Sequence, residues 1–243
     1  MKQLFLDYVR SGKEAVDGWN RFWFTPAAPT KLAVLRILVG GMALYTHCVW
    51  GLRLTELLGS DGFNSAASLD FFQGDMLAPS MWWYVPEAWM RTVHTVCAVV
   101  MLMFVLGIES RVTGILTFLI TVSTSHRAYM ANFGLDQINA ILLFYLCIGS
   151  SGAALSIDRL VKGWSTRRVP DPATTSQSDQ SDASSTGRPW SYTAPAPDVA
   201  SGLALRLIQV HFCVIYSFAG MAKLQGDAWW NGQAIWMSFS NAE

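Results

Sequence analysis

Apolar residues are grouped along the chain in five runs, residues 32–50, 89–108, 112–130, 138–155 and 199–221, each about the length of one helical crossing of a bilayer. The second and third are separated only by a charged turn at 109–111, which predicts an antiparallel helical hairpin. Ahead of them, Leu4, Phe5, Tyr8, Val9, Val16 and Trp19 recur at helical spacing, with Lys2, Arg10, Lys13 and Arg21 between. This pattern predicts an amphipathic helix over 2–24, lying in the membrane surface or packed on the end of a bundle. Pro26 and Pro29 stop it. Charge interrupts its apolar residues too often for a cleaved signal peptide, so the N-terminus is expected to stay on the side of synthesis.

Residues 53–86 are long for a connection without structure. Glu56, Asp61, Asp70 and Asp75 outnumber Arg53 there, while Phe63, Phe71, Phe72, Trp82, Trp83 and Tyr84 argue against disorder; the stretch reads as a flap on the outer surface. Residues 159–198 are rich in Ser, Thr, Pro and Asp and nearly free of aliphatics, a composition that cannot bury enough surface to fold, and read as a disordered cytoplasmic linker. The expected organisation is therefore an all-α, polytopic membrane helical bundle of about five transmembrane helices plus an N-terminal interfacial helix. Residues 1–158 hold that helix and the first four spans, 159–198 the linker, and 199–243 the fifth span with a Lys/Trp segment of the same membrane domain.

Composition agrees with the pattern. The 243 residues are 52% hydrophobic and 14% charged, with mean hydropathy +0.30, too few charges for an ordinary soluble domain. Most of the 11 Trp flank the apolar runs, where tryptophan marks bilayer interfaces. Net charge is zero, so nothing points to nucleic acid. Cys48, Cys97, Cys147 and Cys213 lie inside apolar runs without metal-ligand spacing and read as small buried hydrophobes; no metal is expected. With the N-terminus inside, eleven basic residues fall on inner segments and four on outer ones, so the positive-inside rule predicts a multi-pass protein of the inner or plasma membrane with a cytoplasmic N-terminus.

Polar residues inside the runs carry the candidate chemistry, because an ionisable group in hydrocarbon is costly unless it faces a protein interior or a water-filled cavity. Arg36 and His47 are eleven residues apart, about three helical turns, and share a face near Gly40 and Gly41. Alternatively, Arg36 snorkels to headgroups and the glycines admit a close neighbour. His94 reads as a satisfied or interfacial histidine. His126, Arg127, Asp136 and Gln137 gather at one helix junction, where Asp136 would also suit the dipole of the fourth helix. The densest stretch is 205–236. Gln209, Tyr216 and Lys223 are spaced by seven, as are Arg206, Cys213 and Gly220, so each set holds one face, with His211 roughly opposite. The polar side is expected to point inward, toward a site or a tightly packed bundle. The other reading is a snorkelling Lys223 beside an aromatic belt of Trp229 and Trp230, with Gln209, His211 and Tyr216 hydrogen-bonding to neighbouring helices.

The segment AGMAKLQGDAWWNGQAIW resembles the hallmark of the horizontally transferred transmembrane (HTTM) domain family, whose best-known member is vitamin K-dependent gamma-glutamyl carboxylase. LAVLRILVGG resembles its first-span motif with an embedded Arg, and SSGAALSIDRL its Ser-Val-Asp-type motif near the fourth span. The resemblance covers most of the chain outside the linker. It implies a carboxylase-like membrane enzyme in which Lys223 deprotonates reduced vitamin K or another quinol; oxygenation then yields a base that removes a proton from a substrate carbon, to which carbon dioxide adds. A Lys in a dry pocket favours the neutral amine that this role needs. Tyr216, Trp229 and Trp230 would wall the quinol ring, with Gln209, His126, Asp136 and Gln137 as further substrate contacts and Arg36, His47, Arg206 and His211 as structural polar groups. The carboxylase's Asn-His pair is missing, its positions holding Gly134 and Leu135, and the resemblance stops at Glu243, before the family's later helices, which implies a fragment or a short member. A non-catalytic binding or scaffolding protein of the same family is the alternative expectation.

Overall fold

The computed structural model describes residues 2–59, 62, 79–165 and 194–240. Ten α-helices are present among them: α1 (Lys2–Phe24), α2 (Thr30–Gly51), α3 (Leu54–Leu58), α4 (Glu87–Leu106), α5 (Ser110–Arg127), α6 (Gly134–Ile148), α7 (Ile157–Ser165), α8 (Val199–Leu224), α9 (Asp227–Trp230) and α10 (Gln233–Ser240). Short 3-10 turns fall at Met81–Tyr84 and Tyr129–Ala131, and no strand is found among the described residues beyond an isolated bridge of Ala27 with Asp198. Three helices, α2, α4 and α8, are long and apolar enough to cross a membrane. Of the expected flap, Asp61, Phe63, Asp70, Phe71, Phe72 and Asp75 lie outside the described residues, as do 166–193 of the expected linker.

α2, α4, α5 and α6 pack around one another, α8 joins on the α6 side, and α1 lies against α8. The core between them is Leu32, Val39, Ala43, Phe104, Leu143, Leu146, Ala204 and Ile208. The Phe104 ring is fully buried and wedged between two glycines. A Cβ on Gly40 of α2 or on Gly114 of α5 would stand 3.0 Å from it, so the glycine read as admitting a close neighbour does so at Gly40. Asn139 of α6 is buried as well. With its amide turned so that the nitrogen donates to the Val39 carbonyl (3.2 Å) and the oxygen accepts from the Ala43 N–H (3.3 Å), it ties α6 to α2.

α5 is not among the helices apolar enough to cross a membrane, and it packs a polar face into the bundle, with Ser110, Thr113, Thr117, Ser123 and Thr124 buried while Val112, Ile115 and Leu119 are exposed on the other side. Several of its hydroxyls are satisfied by the helix itself: Thr113 donates to the Glu109 carbonyl, Thr121 to Thr117 and Thr124 to Ile120 (2.7–3.1 Å). Back-bonding of this kind lets a threonine occupy a low-dielectric position without an outside partner. α4 ends where Gly107 turns left-handed (φ 76°), the usual way a glycine closes a helix. A side chain there would also run into the Ser156 Cβ at 2.5 Å.

Three expectations are corrected. The fourth apolar run does not stay helical to residue 155; α6 stops at Ile148, where Gly149 turns to extended backbone (φ −87°, ψ 167°), and 149–156 form a loop whose carbonyls at 151 and 155 are held by Arg36. The expected linker does not begin as one, since Ile157–Ser165 is helical. Of the cysteines, Cys97 is buried, while Cys48 and Cys213 are exposed on the outside of their helices.

Candidate functional site at one end of the bundle

Arg36 and the loop that follows α6 define the opposite end, where the bundle is locked. The Arg36 guanidinium is fully buried, donating to the Ser151 carbonyl at 2.7 Å and the Leu155 carbonyl at 2.6 Å, with Ala154 at 3.5 Å. It does not snorkel to headgroups; the loop has folded over it. Asp158, the opposite charge that acts on it, accepts from the Glu109 N–H at 2.7 Å and so closes the α4–α5 turn onto the same loop. Two of the motif stretches quoted above, one around Arg36 and one around Ser150–Leu160, are therefore in direct contact.

At the other end, the last turn of α5 grips the connection between α2 and α4. Ser80 donates to the Ser123 carbonyl (2.7 Å), the Met81 N–H donates to the Ser123 hydroxyl (2.7 Å), and the Trp82 indole donates to Thr124 (3.1 Å). Buried Arg127 donates to the carbonyls of Leu58 and Gly59, both at 2.8 Å, and lies over the Trp83 ring at 4.5 Å. His126 meets the Pro79 carbonyl at 2.9 Å. Asp136 sits in the first turn of α6 and accepts from the Phe133 N–H at 2.9 Å, the helix-start geometry read as its alternative. Gln137 is exposed. Of the residues expected to contact substrate here, His126 and Asp136 hold backbone, and no hydrogen bond or ion pair among the described residues joins them to Lys223.

The same end contains a pairing that sequence reasoning missed. His47 of α2 and His94 of α4 stack with ring centroids 3.9 Å apart and planes within 6°. Each Nε2 reaches the backbone carbonyl of the other residue, at 3.2 and 2.9 Å. Since a carbonyl only accepts, each Nε2 carries a proton, and the pair is a reciprocal clasp between two helices. Gly51 makes room for it, a Cβ there falling 2.5 Å from the His94 ring. With both Nε2 atoms engaged, the clasp is a packing element. In a double-mutant cycle of His47→Leu and His94→Leu, read by thermal unfolding in detergent, the expected coupling is about 0.5–1.5 kcal/mol; strictly additive losses would show that the stack contributes nothing.

α8 carries the remaining candidates, and their exposure corrects the inward-facing expectation. The helix is packed only through its first half, with Ser201, Gly202, Ala204 and Ile208 buried. From Tyr216 onward every residue through Gln225 is exposed: among the described residues, nothing buries any face of this half of the helix. Arg206 donates to Gln209 at 2.8 Å and lies over Phe22 of α1 at 5.0 Å; His211 meets the Tyr145 hydroxyl at 3.3 Å. Tyr216 is 73% exposed and stacks loosely on Phe212. The Lys223 amine lies over the Trp229 ring at 4.8 Å, and the Trp230 indole donates to the Leu224 carbonyl at 2.7 Å.

Tyr216, Gly220 and Lys223 share one face at helical spacing, and a Cβ added at Gly220 would meet nothing within 4 Å. The strip is thus open bare backbone flanked by a phenol on one side and an amine on an indole on the other. The strip is open on one face, and no second wall is supplied by the described residues. An open groove of about 540 Å³ lies elsewhere, lined by Leu54, Thr55, Glu87, Met90, Arg91 and Thr95 among others. No group of three His, Cys, Asp or Glu side chains is placed to hold a metal ion among the described residues. Comparison with protein-family models, with curated proteins and with solved structures gave no match to this chain.

Proposed function

We propose that this is an integral membrane protein of the HTTM type, crossing the bilayer five times from a cytoplasmic N-terminus, with α1 in the membrane surface and Lys223 as the base toward a quinol-type cosubstrate in carboxylase-like chemistry. The observation that carries this reading is the contact of Arg36 with the carbonyls of Ser151 and Leu155. It joins, at one end of the bundle, two stretches chosen for their family resemblance and more than a hundred residues apart. The third stretch supplies Lys223. When bound, the quinol would supply an acidic hydroxyl and the reducing power for oxygen. This chain would supply the Tyr216–Gly220 strip to seat one ring face and the Lys223 amine, over Trp229, to accept the proton.

A second reading is favoured by the exposure of Lys223: a non-catalytic protein whose α8 face binds another membrane component, since an unenclosed amine lacks the dry surroundings that a base of this kind needs. Phylloquinol and oxygen, supplied to the protein in nanodiscs, separate the two. On the enzyme reading oxygen uptake is phylloquinol-dependent, and Lys223→Ala lowers it on the order of a hundredfold or more without moving the unfolding midpoint. If the wild type neither binds nor consumes phylloquinol, the enzyme reading is finished and the binding-protein reading stands.

A further inference from the structure

α7 follows the membrane bundle too closely to leave its surface. Only the loop 149–156 separates it from the end of α6, and that loop is fixed: Arg36 holds its carbonyls, Arg159 donates back to the Ala153 carbonyl at 2.5 Å, and Asp158 is bonded to the Glu109 N–H. The first turn of α7 is therefore anchored to the α4–α5 turn on one side and to α2 on the other. Along the helix, Ile157, Leu160, Val161 and Trp164 recur at the spacing of a single face, with Asp158, Arg159 and Lys162 on the other. Within that apolar face Leu160 is 65% and Val161 58% exposed. An apolar face pinned at the rim of a membrane bundle, with cationic residues behind it, has the layout of a helix lying in the interface between headgroups and acyl chains.

We propose that α7 is an in-plane surface helix on the cytoplasmic side, inserting Leu160 and Val161 into the leaflet at the headgroup boundary, so that its occupant is the lipid of the bilayer in which the protein sits. The inference rests on the membrane reading above and not on the assignment of Lys223. α7 holds the inner mouth of the bundle at a set depth.

The test uses the full chain with its native cysteines replaced, in nanodiscs of phosphatidylethanolamine and phosphatidylglycerol. A single environment-sensitive fluorophore is placed by Leu160→Cys, Lys162→Cys or Val99→Cys. Val99 lies in α4 and is half exposed, so it reports whether the bundle itself is in lipid. The label at 160 is expected to be quenched by nitroxide lipids and to be about threefold or more less accessible to iodide than the label at 162. Equal iodide quenching at 160 and 162, with 99 still quenched by lipid, overturns the proposal and leaves the membrane reading intact; loss of lipid quenching at 99 overturns both. Where the cysteine-replaced background fails to fold, the wild-type chain carrying Leu160→Ser and Val161→Ser gives the second measurement. In nanodiscs, trypsin cleavage at Arg159 and Lys162 should accelerate on the order of tenfold as the helix lifts from the surface, and an unchanged rate sinks the idea.

Discussion

Replacing Arg36 by leucine is expected to cost the largest share of stability of any single substitution in this chain. The guanidinium holds the Ser151 and Leu155 carbonyls at 2.7 and 2.6 Å, and leucine offers neither a donor. An orphaned buried acceptor costs about 1–3 kcal/mol, so the pair gives roughly 2–4 kcal/mol with partial hydration of the more exposed Leu155. At about 2–4 °C per kcal/mol for a chain of this size, the unfolding midpoint in detergent should fall by roughly 5–15 °C. The loop also orients Asp158 toward the Glu109 N–H, so protease sensitivity should rise at the α4–α5 turn, far from residue 36 in sequence. Arg36→Lys keeps the charge, but a single ammonium cannot fork to two carbonyls at those distances, and it should recover less than half of the loss. A midpoint unmoved in Arg36→Leu would mean that the loop is held by something else and would remove the main support for the HTTM-type reading.

What the sequence made legible follows from what periodicity encodes. The starts of α2, α4, α5 and α8 lie within a few residues of the apolar runs that predicted them, because burial of a long helix leaves its signature in every turn. Periodicity also says which residues share a face, but not where the face points. Gln209, Tyr216 and Lys223 do fall on one side of α8, yet that side is exposed, since the helix is packed through Ser201, Gly202, Ala204 and Ile208 of its first half instead. His47 and His94 pair across helices 47 positions apart in sequence, and no local pattern records a partner at that distance. α7 was hidden for a different reason: nine residues carry little periodic signal, and the Ser- and Pro-rich composition just after them dominates any window that includes them. The loop after α6 falls inside the fourth apolar run because Ala153, Ala154 and Leu155 continue its hydrophobic character; no local pattern records that Arg36, more than a hundred residues earlier, holds the carbonyls of Ser151 and Leu155.

Two glycines of α8 should respond to the same substitution with opposite signs. At Gly202 an added Cβ would stand 2.1 Å from the Thr25 backbone carbonyl, where the end of α1 crosses the start of α8. Backbone cannot step aside as a side-chain tip can. The contact is further fixed by the reciprocal Ala27–Asp198 bridge at 3.1 Å and by Asp198, which caps α8 through the Ser201 N–H and hydroxyl at 2.8 and 2.7 Å. Gly202→Ala should therefore separate α1 from α8 and cost roughly 1–3 kcal/mol by overpacking, seen as a lower unfolding midpoint and as faster cleavage within α1. At Gly220 nothing stands within 4 Å, so alanine only restricts the unfolded chain and favours helix, and the midpoint should rise by the equivalent of about 0.5–1 kcal/mol. On the quinol reading the same methyl intrudes on the strip between Tyr216 and Lys223, so Gly220→Ala should bind phylloquinol more weakly while unfolding later. A stabilised Gly220→Ala that binds phylloquinol as well as the wild type would place the ligand somewhere other than this face, and a Gly202→Ala that unfolds with the wild type would show that α1 is not docked on α8 as the Thr25 contact requires.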